Sequence, residues 1–321
     1  MERDRIGTEI VTSRGGLRVA GRSVNPVLPA LLGAACISSS AIVVRLADVA
    51  AGTTAFYRCL LALPVLIVLS VLERRRRGSR SVRSRTLSFV AGTFLGIDLV
   101  LWTHAIYDVG AGIATVLGNL QVVFVTFIAW VWLRERPRVK FLLALPVVLL
   151  GVVFLAGLAS HSGPNFHPVA GVLYGLGTSL TYAAFILILR ASTKEIPHVA
   201  GPLTDATAGA AFASLAFGLA LGQLHFSLPL RSLGWLLVLA LTSQTVGWLL
   251  ITLSLPHLPA AVSSLLLLFQ PAASLVLAAI VLSERPTGLQ LAGAALVCGG
   301  VILAARANAS AKTPLVEPTP G

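Results

Sequence analysis

The residues of this chain that can do chemistry are polar groups set inside long apolar stretches. Asp98 lies in Phe94-Leu95-Gly96-Ile97-Asp98-Leu99-Val100-Leu101. It sits about 12 residues into its apolar run, or about 18 Å at 1.5 Å per residue. That depth is close to the middle of a bilayer. A carboxylate is expensive there, so it is expected to face a cavity or a partner. It suits a proton carrier or a holder of a substrate ammonium; a structural hydrogen bond to a neighbouring helix is the alternative. Arg58 lies about five residues, or about 7.5 Å, into its own run. It can meet a substrate carboxylate, pair with Asp98, or snorkel back to the interface. Gln121 and Gln270 are amides at apolar depth, and Pro271 after the second frees a backbone carbonyl. Asn119, Gln244, Thr103 and Tyr182 add polar contacts to a lining, or hydrogen-bond between helices. Trp102 is one turn from Asp98 and shares its face, as a cavity wall, a cation–π surface or core packing. The other tryptophans (Trp130, Trp132, Trp235 and Trp248) suit an interfacial belt near segment ends. His104 and Asp205 lie near segment ends, where interfacial solvation is the expected role.

What must position these residues follows from composition. Of the 321 residues, 56% are hydrophobic and 11% are charged, with mean hydropathy +0.89. Soluble domains carry about 25% charged residues, so there is too little polar surface here for a water-soluble globule of this size. The same balance excludes intrinsic disorder. An integral membrane protein remains. The net charge of +12 does not point to nucleic acid, because the basic residues fall between apolar runs, where they set orientation. The three cysteines, Cys36, Cys59 and Cys298, show no disulfide or metal spacing. No cofactor is expected.

Ten runs reach about the 20 residues needed to cross the hydrocarbon core. They are Pro26–Val44, Thr53–Leu72, Thr86–Ile106, Gly110–Leu133, Arg138–Leu158, Pro168–Leu189, Gly201–Gly222, Ser232–Leu253, Pro259–Leu282 and Thr287–Ala305. Continuous runs of this length mean helices, since barrel strands are about 9–11 residues and alternate. With the N-terminus inside, inner connections hold twenty Lys and Arg, against three (Arg45, Arg231 and Arg285) outside. The expectation is a multi-pass protein of the cell (plasma) membrane with both termini cytoplasmic. Arg74–Arg77 is expected to anchor that topology against anionic lipid. Residues 1–25 lack a signal-peptide core and read as a flexible cytoplasmic tail, and 306–321 as a second tail.

The fourth and ninth segments repeat at an offset of 149. Leu117, Gln121, Ala129, Leu133, Glu135, Arg136 and Pro137 match Leu266, Gln270, Ala278, Leu282, Glu284, Arg285 and Pro286, and Gly151-Val152 matches Gly300-Val301. The chain therefore reads as two five-helix halves, 26–158 and 159–305. Because five is odd, the second half enters the membrane from the opposite side. Such inverted repeats commonly underlie alternating access in secondary transporters. The Glu-Arg-Pro motifs suit structural turns, with Glu135, Pro137, Glu284 and Pro286 placed for the start of the following helix. The spacings Gly92-x-x-x-Gly96, Gly171-x-x-x-Gly175 and Gly218-x-x-x-Gly222 suit close helix contact, and leave homodimerisation open.

With these motifs the chain resembles the drug/metabolite transporter superfamily, EamA type. The resemblance covers about Val27–Ala305 and rests on Leu133-Arg134-Glu135-Arg136-Pro137, Leu282-Ser283-Glu284-Arg285-Pro286 and Phe56-Tyr57-Arg58. The first segment departs from it, with Ala35-Cys36-Ile37-Ser38-Ser39 where many members carry Trp-Gly. The resemblance implies efflux of amino-acid-like, metabolite or drug-like small molecules without ATP. It also implies a cavity formed by helices one to four and six to nine, with five and ten peripheral. No Walker A, HExxH or GxSxG motif is present, so an ATP motor or an enzyme is not expected. A channel, a facilitative uptake carrier and a sensor are the other classes weighed. The expected partners are a small-molecule substrate and the lipid bilayer.

Overall fold

Backbone amides and carbonyls in hydrocarbon must bond within their own segment or in a closed barrel, and this chain uses helices. The computed structural model describes residues 17–19, 22–132, 134, 137, 139–156, 168–194, 196–281 and 287–309. A short antiparallel hairpin, β1 (Leu17–Val19) with β2 (Arg22–Val24), precedes the first apolar segment. Helices then follow in order: α1 (Val27–Ser38), α2 (Ser40–Ala47), α3 (Ala51–Arg77), α4 (Val82–Asn119), α5 (Gln121–Trp132), α6 (Val139–Ala156), α7 (Pro168–Thr193), α8 (Ala200–Ala220), α9 (Leu230–Leu239), α10 (Trp248–Ser254), α11 (Ala260–Leu267), α12 (Phe269–Val281) and α13 (Gly288–Ala309). A π-helical stretch, Ala240–Gly247, joins α9 to α10.

Among the described residues, six stretches are long and apolar enough to cross a membrane: Val27–Val44, Gly52–Arg77, Val82–Trp102, Val169–Thr193, Ala200–Ala220 and Leu230–His257. Shorter apolar helices cover Leu117–Trp132, Phe141–Phe154, Val262–Ala273 and Leu291–Gly300. Each falls inside or across one of the ten apolar runs of the sequence. The outer faces stay apolar, with Val68, Phe127, Leu143, Leu173, Phe212 and Ile280 all more than half exposed. Such a surface suits lipid and not water. The interior holds two main clusters, one around Cys59, Leu66, Leu95, Phe185 and Trp248, the other around Val122, Phe141, Val148 and Leu265.

Several segments are interrupted. The third and fourth runs are not separated by a non-helical loop near 107–109, as the sequence reading expects; both begin within α4. The chain nevertheless turns back there. A methyl group on Gly118 would lie 3.9 Å from Trp102 Cδ1, whereas 16 residues of straight helix span about 24 Å. The fourth segment breaks at Leu120 and the ninth at Leu268, just before Gln121 and Gln270 respectively. Pro271 therefore stands in the first turn of α12, where its missing N–H costs little.

Several helix pairs meet through backbone. A methyl group on Gly151 of α6 would lie 2.8 Å from Gly293 O and 2.9 Å from Val297 Cγ2; one on Gly300 of α13 would collide with Val148 and lie 3.6 Å from Ala144 O. Adding 149 converts Gly151 to Gly300, Ala144 to Gly293 and Val148 to Val297. The contact is thus reciprocal: each partner presents the same patch to the other, as across a two-fold axis. α3 and α8 form the second pair, running antiparallel, with Gly52 against Gln223 at one end, Thr204 Oγ1 donating to Leu66 O midway, and Glu73 against Val199 and Gly201 at the other. α4 crosses α8 where Gly92 and Gly96 meet Ala206 and Ala210, and α1 crosses the π-helical stretch where Gly33 meets Gly247. Side chains at these glycines would push the helices apart.

Candidate functional site

A buried guanidinium needs several acceptors at once, and the fold gathers them around Arg58. Two turns into α3, Arg58 is 9% exposed, so it does not snorkel to the interface. Its Nε donates to Gln244 Oε1 at 2.9 Å and its Nη2 to Ser243 Oγ at 3.3 Å. Ser243 Oγ also meets Ser40 Oγ at 2.7 Å, and Gln244 Nε2 donates to Thr207 Oγ1 at 3.2 Å. This seam joins α2, α3, α8 and the π-helical stretch. Neighbouring residues of an α-helix diverge by about 100°. The wider turn of Ala240–Gly247, where Thr245 Oγ1 bonds Ala240 O five residues back at 2.9 Å, lets Ser243 and Gln244 reach one guanidinium. Wide turns of this kind recur at functional sites.

Asp98, on α4, is 6% exposed, and its Oδ1 is buried with no hydrogen-bond partner among the described residues. Arg58 is close enough to act on it electrostatically, yet the two make no direct ion pair. The arginine is taken by Gln244 and Ser243 instead. Tyr182 of α7 is close enough to interact electrostatically with Asp98, and its hydroxyl lies beside the side chain of Gln270. The ring of Tyr182 meets Trp248 edge-on, with centroids 6.3 Å apart, and Trp248 in turn meets Phe185 at 4.8 Å. An unsatisfied carboxylate oxygen is thus placed beside a buried cation, a phenol and an aromatic wall. Unsatisfied buried acceptors are costly, so this constellation favours a proton or a donor group arriving at Asp98.

The structure brings together Asp98, Arg58, Gln244, Tyr182 and Gln270. Gln121 is buried, with Oε1 unpartnered among the described residues, and hydrogen-bonds none of these. Trp102 is half-buried a turn from Asp98, against Gly118, and Asn119 closes α4. The side chain of Thr103 lies outside the described residues, as do Glu135, Glu284 and Pro286. Of the turn motifs, Pro137 is half-buried, and Arg134 has a left-handed backbone (φ 54°) just past α5. His104 is not simply solvated; it stacks on Tyr174 at 5.2 Å. Trp130 and Trp132 are more than half exposed, whereas Trp248 is a core residue and not a belt residue.

Asp205 corrects the expectation of interfacial solvation. It pairs with Arg80 Nη2 at 2.5 Å, with the Arg80 side chain 7% exposed and that of Asp205 20%. Beside it, Glu73 at the end of α3 accepts from the N–H groups of Val199 and Gly201, at 2.8 and 2.9 Å. It thereby caps α8, whose own Val199 offers no side-chain cap. Arg80 lies across Gly201, where a methyl group would sit 2.6 Å from its Nε. His198 Nε2 meets Gly78 O at 3.1 Å. At the far end of the same pair, Thr53 Oγ1 donates to Gln223 O at 2.9 Å and accepts from His225 N–H at 3.0 Å, while Tyr57 OH donates to Phe226 O at 3.3 Å. We call these the arginine clasp and the neutral clasp. Sequence reasoning missed both, along with Thr207 and Ser243. One signal was present: the offset of 149 carries Gly52 to Gly201 and Arg58 to Thr207.

Comparison with known proteins adds an independent line. The model of the EamA-like transporter family matches twice, over residues 25–157 and 169–306. An uncharacterized transporter of Bacillus subtilis (strain 168), YwfM, is 28% identical over 233 residues, covering 71% of this chain and 75% of its own. An uncharacterized transporter of Archaeoglobus fulgidus is 25% identical over 225 residues, covering 69% and 77%. A solved structure, described as the crystal structure of a protein, superposes with a TM-score of 0.71 at 18% identity, covering 90% of this chain and 99% of that one. That last likeness is one of fold.

Proposed function

The chain belongs to the EamA-like transporter family, and from that premise we propose that it is a secondary active exporter of a small amino-acid-like or drug-like metabolite, working by alternating access between two inverted five-helix halves. Protons couple to transport through Asp98. The termini are cytoplasmic and the membrane is the plasma membrane, on the strength of the Lys and Arg bias.

The observation that carries this reading is Asp98: a buried carboxylate at a seam between the halves, with one oxygen unsatisfied and Arg58 held close but unpaired. Ionisable groups in hydrocarbon are rare and usually face a cavity or mark a substrate or proton path. Further support comes from the packing. Equivalent helices of the two halves run antiparallel where they meet, α3 against α8, and α6 meets α13 reciprocally. The breaks at Leu120 and Leu268 fall within one residue of matching positions, and the family model matches twice, over 25–157 and 169–306.

The test compares the media of cells carrying the wild type, Asp98→Asn and an empty vector, profiled by mass spectrometry. A compound enriched by the wild type alone is the expected result. Enrichment by both proteins would leave an exporter and remove Asp98 from the transport step. No enrichment by either would remove the exporter reading, and counterflow in liposomes would then separate uptake from a channel.

A further inference from the structure

An inverted repeat makes a prediction about which contacts can stay and which must change. If the two halves exchange conformations during the cycle, each contact becomes its symmetry mate. A pair lying on the pseudo-two-fold axis is its own mate and need not change. α3 with α8 and α6 with α13 are such pairs. A pair off the axis has a different mate and must exchange with it. The first segment packs on the eighth, so its mate is the sixth on the third.

The structure separates the two kinds. At the ends of the α3–α8 pair the arginine clasp and the neutral clasp are mates, since the offset carries Gly52 to Gly201, with Gln223 and Arg80 lying over them. Both clasps are closed at once. Two gates of an alternating carrier would be expected to differ, one open and one shut. The off-axis pairs do differ. The first segment breaks at Ser39 and the eighth widens over Ala240–Gly247, whereas α7 and the Val82–Trp102 part of α4 carry no such interruption.

We infer that α3 and α8, clasped at both ends, form a fixed pivot through the whole cycle, and that alternation takes place in the off-axis pairs, first on eighth and sixth on third. Glu73, Arg80 and Asp205 are then positioning residues that hold the pivot, and not a gate. This rests on the alternating-access reading above.

The test uses the full chain with Cys36, Cys59 and Cys298 replaced and Trp102→Cys as a reporter, in membrane vesicles of each orientation. A membrane-impermeant maleimide reads access to the reporter from each side. One lock is a disulfide across the neutral clasp, Gly52→Cys with Gln223→Cys, where the Cβ positions lie 3.0 Å apart and must ease by about half an ångström to reach disulfide spacing. The other crosses the off-axis pair, Ser40→Cys with Ser243→Cys, whose oxygens are 2.7 Å apart. Without a lock the reporter reacts from both sides. With the clasp lock both rates stay within about twofold; with the off-axis lock one of them falls by about tenfold or more, and reductant restores it. In the arginine clasp, Arg80→Gln lowers the melting temperature without changing the ratio of the two rates, and the swap Arg80→Asp with Asp205→Arg restores the temperature. A reporter confined to one side by the clasp lock, a rate ratio shifted by Arg80→Gln, a clasp disulfide that does not form, or an off-axis lock without effect would overturn the pivot. A reporter that reacts from one side even without a lock would instead overturn alternating access itself.

Discussion

In the two-half arrangement proposed above, the first and eighth segments and their mates, the sixth and third, take equivalent places and are built in different ways. Where the first meets the eighth, Gly33 lies against Gly247. The offset of 149 carries these two residues to Tyr182 and Asp98. At one site the backbones touch; at its mate a phenol and a carboxylate fill the space. The matching positions thus hold glycines at one crossing and polar side chains at the other. The chemistry therefore lies on one side of a nearly symmetric frame. What the symmetric parts share is packing, such as the glycine contact of α6 with α13, and one amide pair, Gln121 and Gln270; Asp98, Arg58 and Tyr182 have no like residue at the matching positions. The comparison makes predictions that differ in size.

The largest concerns the glycine side. A methyl group on Gly33 would lie 2.7 Å from Gly247 O and 2.8 Å from Ile251 Cγ1. Backbone cannot yield as a side chain tip can, so Gly33→Val should cost about 3 kcal/mol or more, the upper end for overpacked sites. Thermal unfolding in detergent measures it. Gly234, by contrast, meets nothing within 4 Å, and Gly234→Ala should be neutral or stabilising by up to about 1 kcal/mol. If the two variants behaved alike, the tight crossing would not be what holds segments one and eight together.

Next in size is the amide that holds the arginine. Gln244 is fully buried and bonds both Arg58 and Thr207. Removing it strips an acceptor from a buried charge, which costs about 1–3 kcal/mol. We expect Gln244→Ala to fall there. With Gln244 gone, Arg58 is free to turn to Asp98, so the loss in the double variant Gln244→Ala with Asp98→Asn should exceed the sum of the single losses. Additive losses would show that Asp98 and Arg58 are independent, and would break the view of one site.

These residues also show where the sequence was legible. Ten apolar runs, the offset of 149 and the depth of Asp98 are local signals, each read from fewer than 25 neighbouring residues or from one comparison. Partnership is not local. Arg58 and Gln244 are separated by 186 positions, and nothing near either names the other. Asp205 looked solvated because its partner, Arg80, sat among seven arginines that all read as topology signals. Trp248 looked like a belt residue because a window of hydropathy does not say which face turns inward. The turn within α4 was legible from Tyr107-Asp108-Val109-Gly110, but its helical backbone was not.

The smallest effect tests the aromatic side of the comparison. Tyr182 is the mate of Gly33, and its contribution divides between the ring, which meets Trp248 and Phe185, and the hydroxyl, which meets Gln270. Tyr182→Phe keeps the ring and removes the hydroxyl, so stability should fall by only about 0.5–1.5 kcal/mol. Transport should respond differently. If the phenol serves the site, the same variant should change the apparent affinity for the exported compound while the melting temperature hardly moves. A variant that lost about a kilocalorie of stability and nothing in transport would make Tyr182 a packing residue like its glycine mate. The difference at this crossing would then reduce to Asp98 alone.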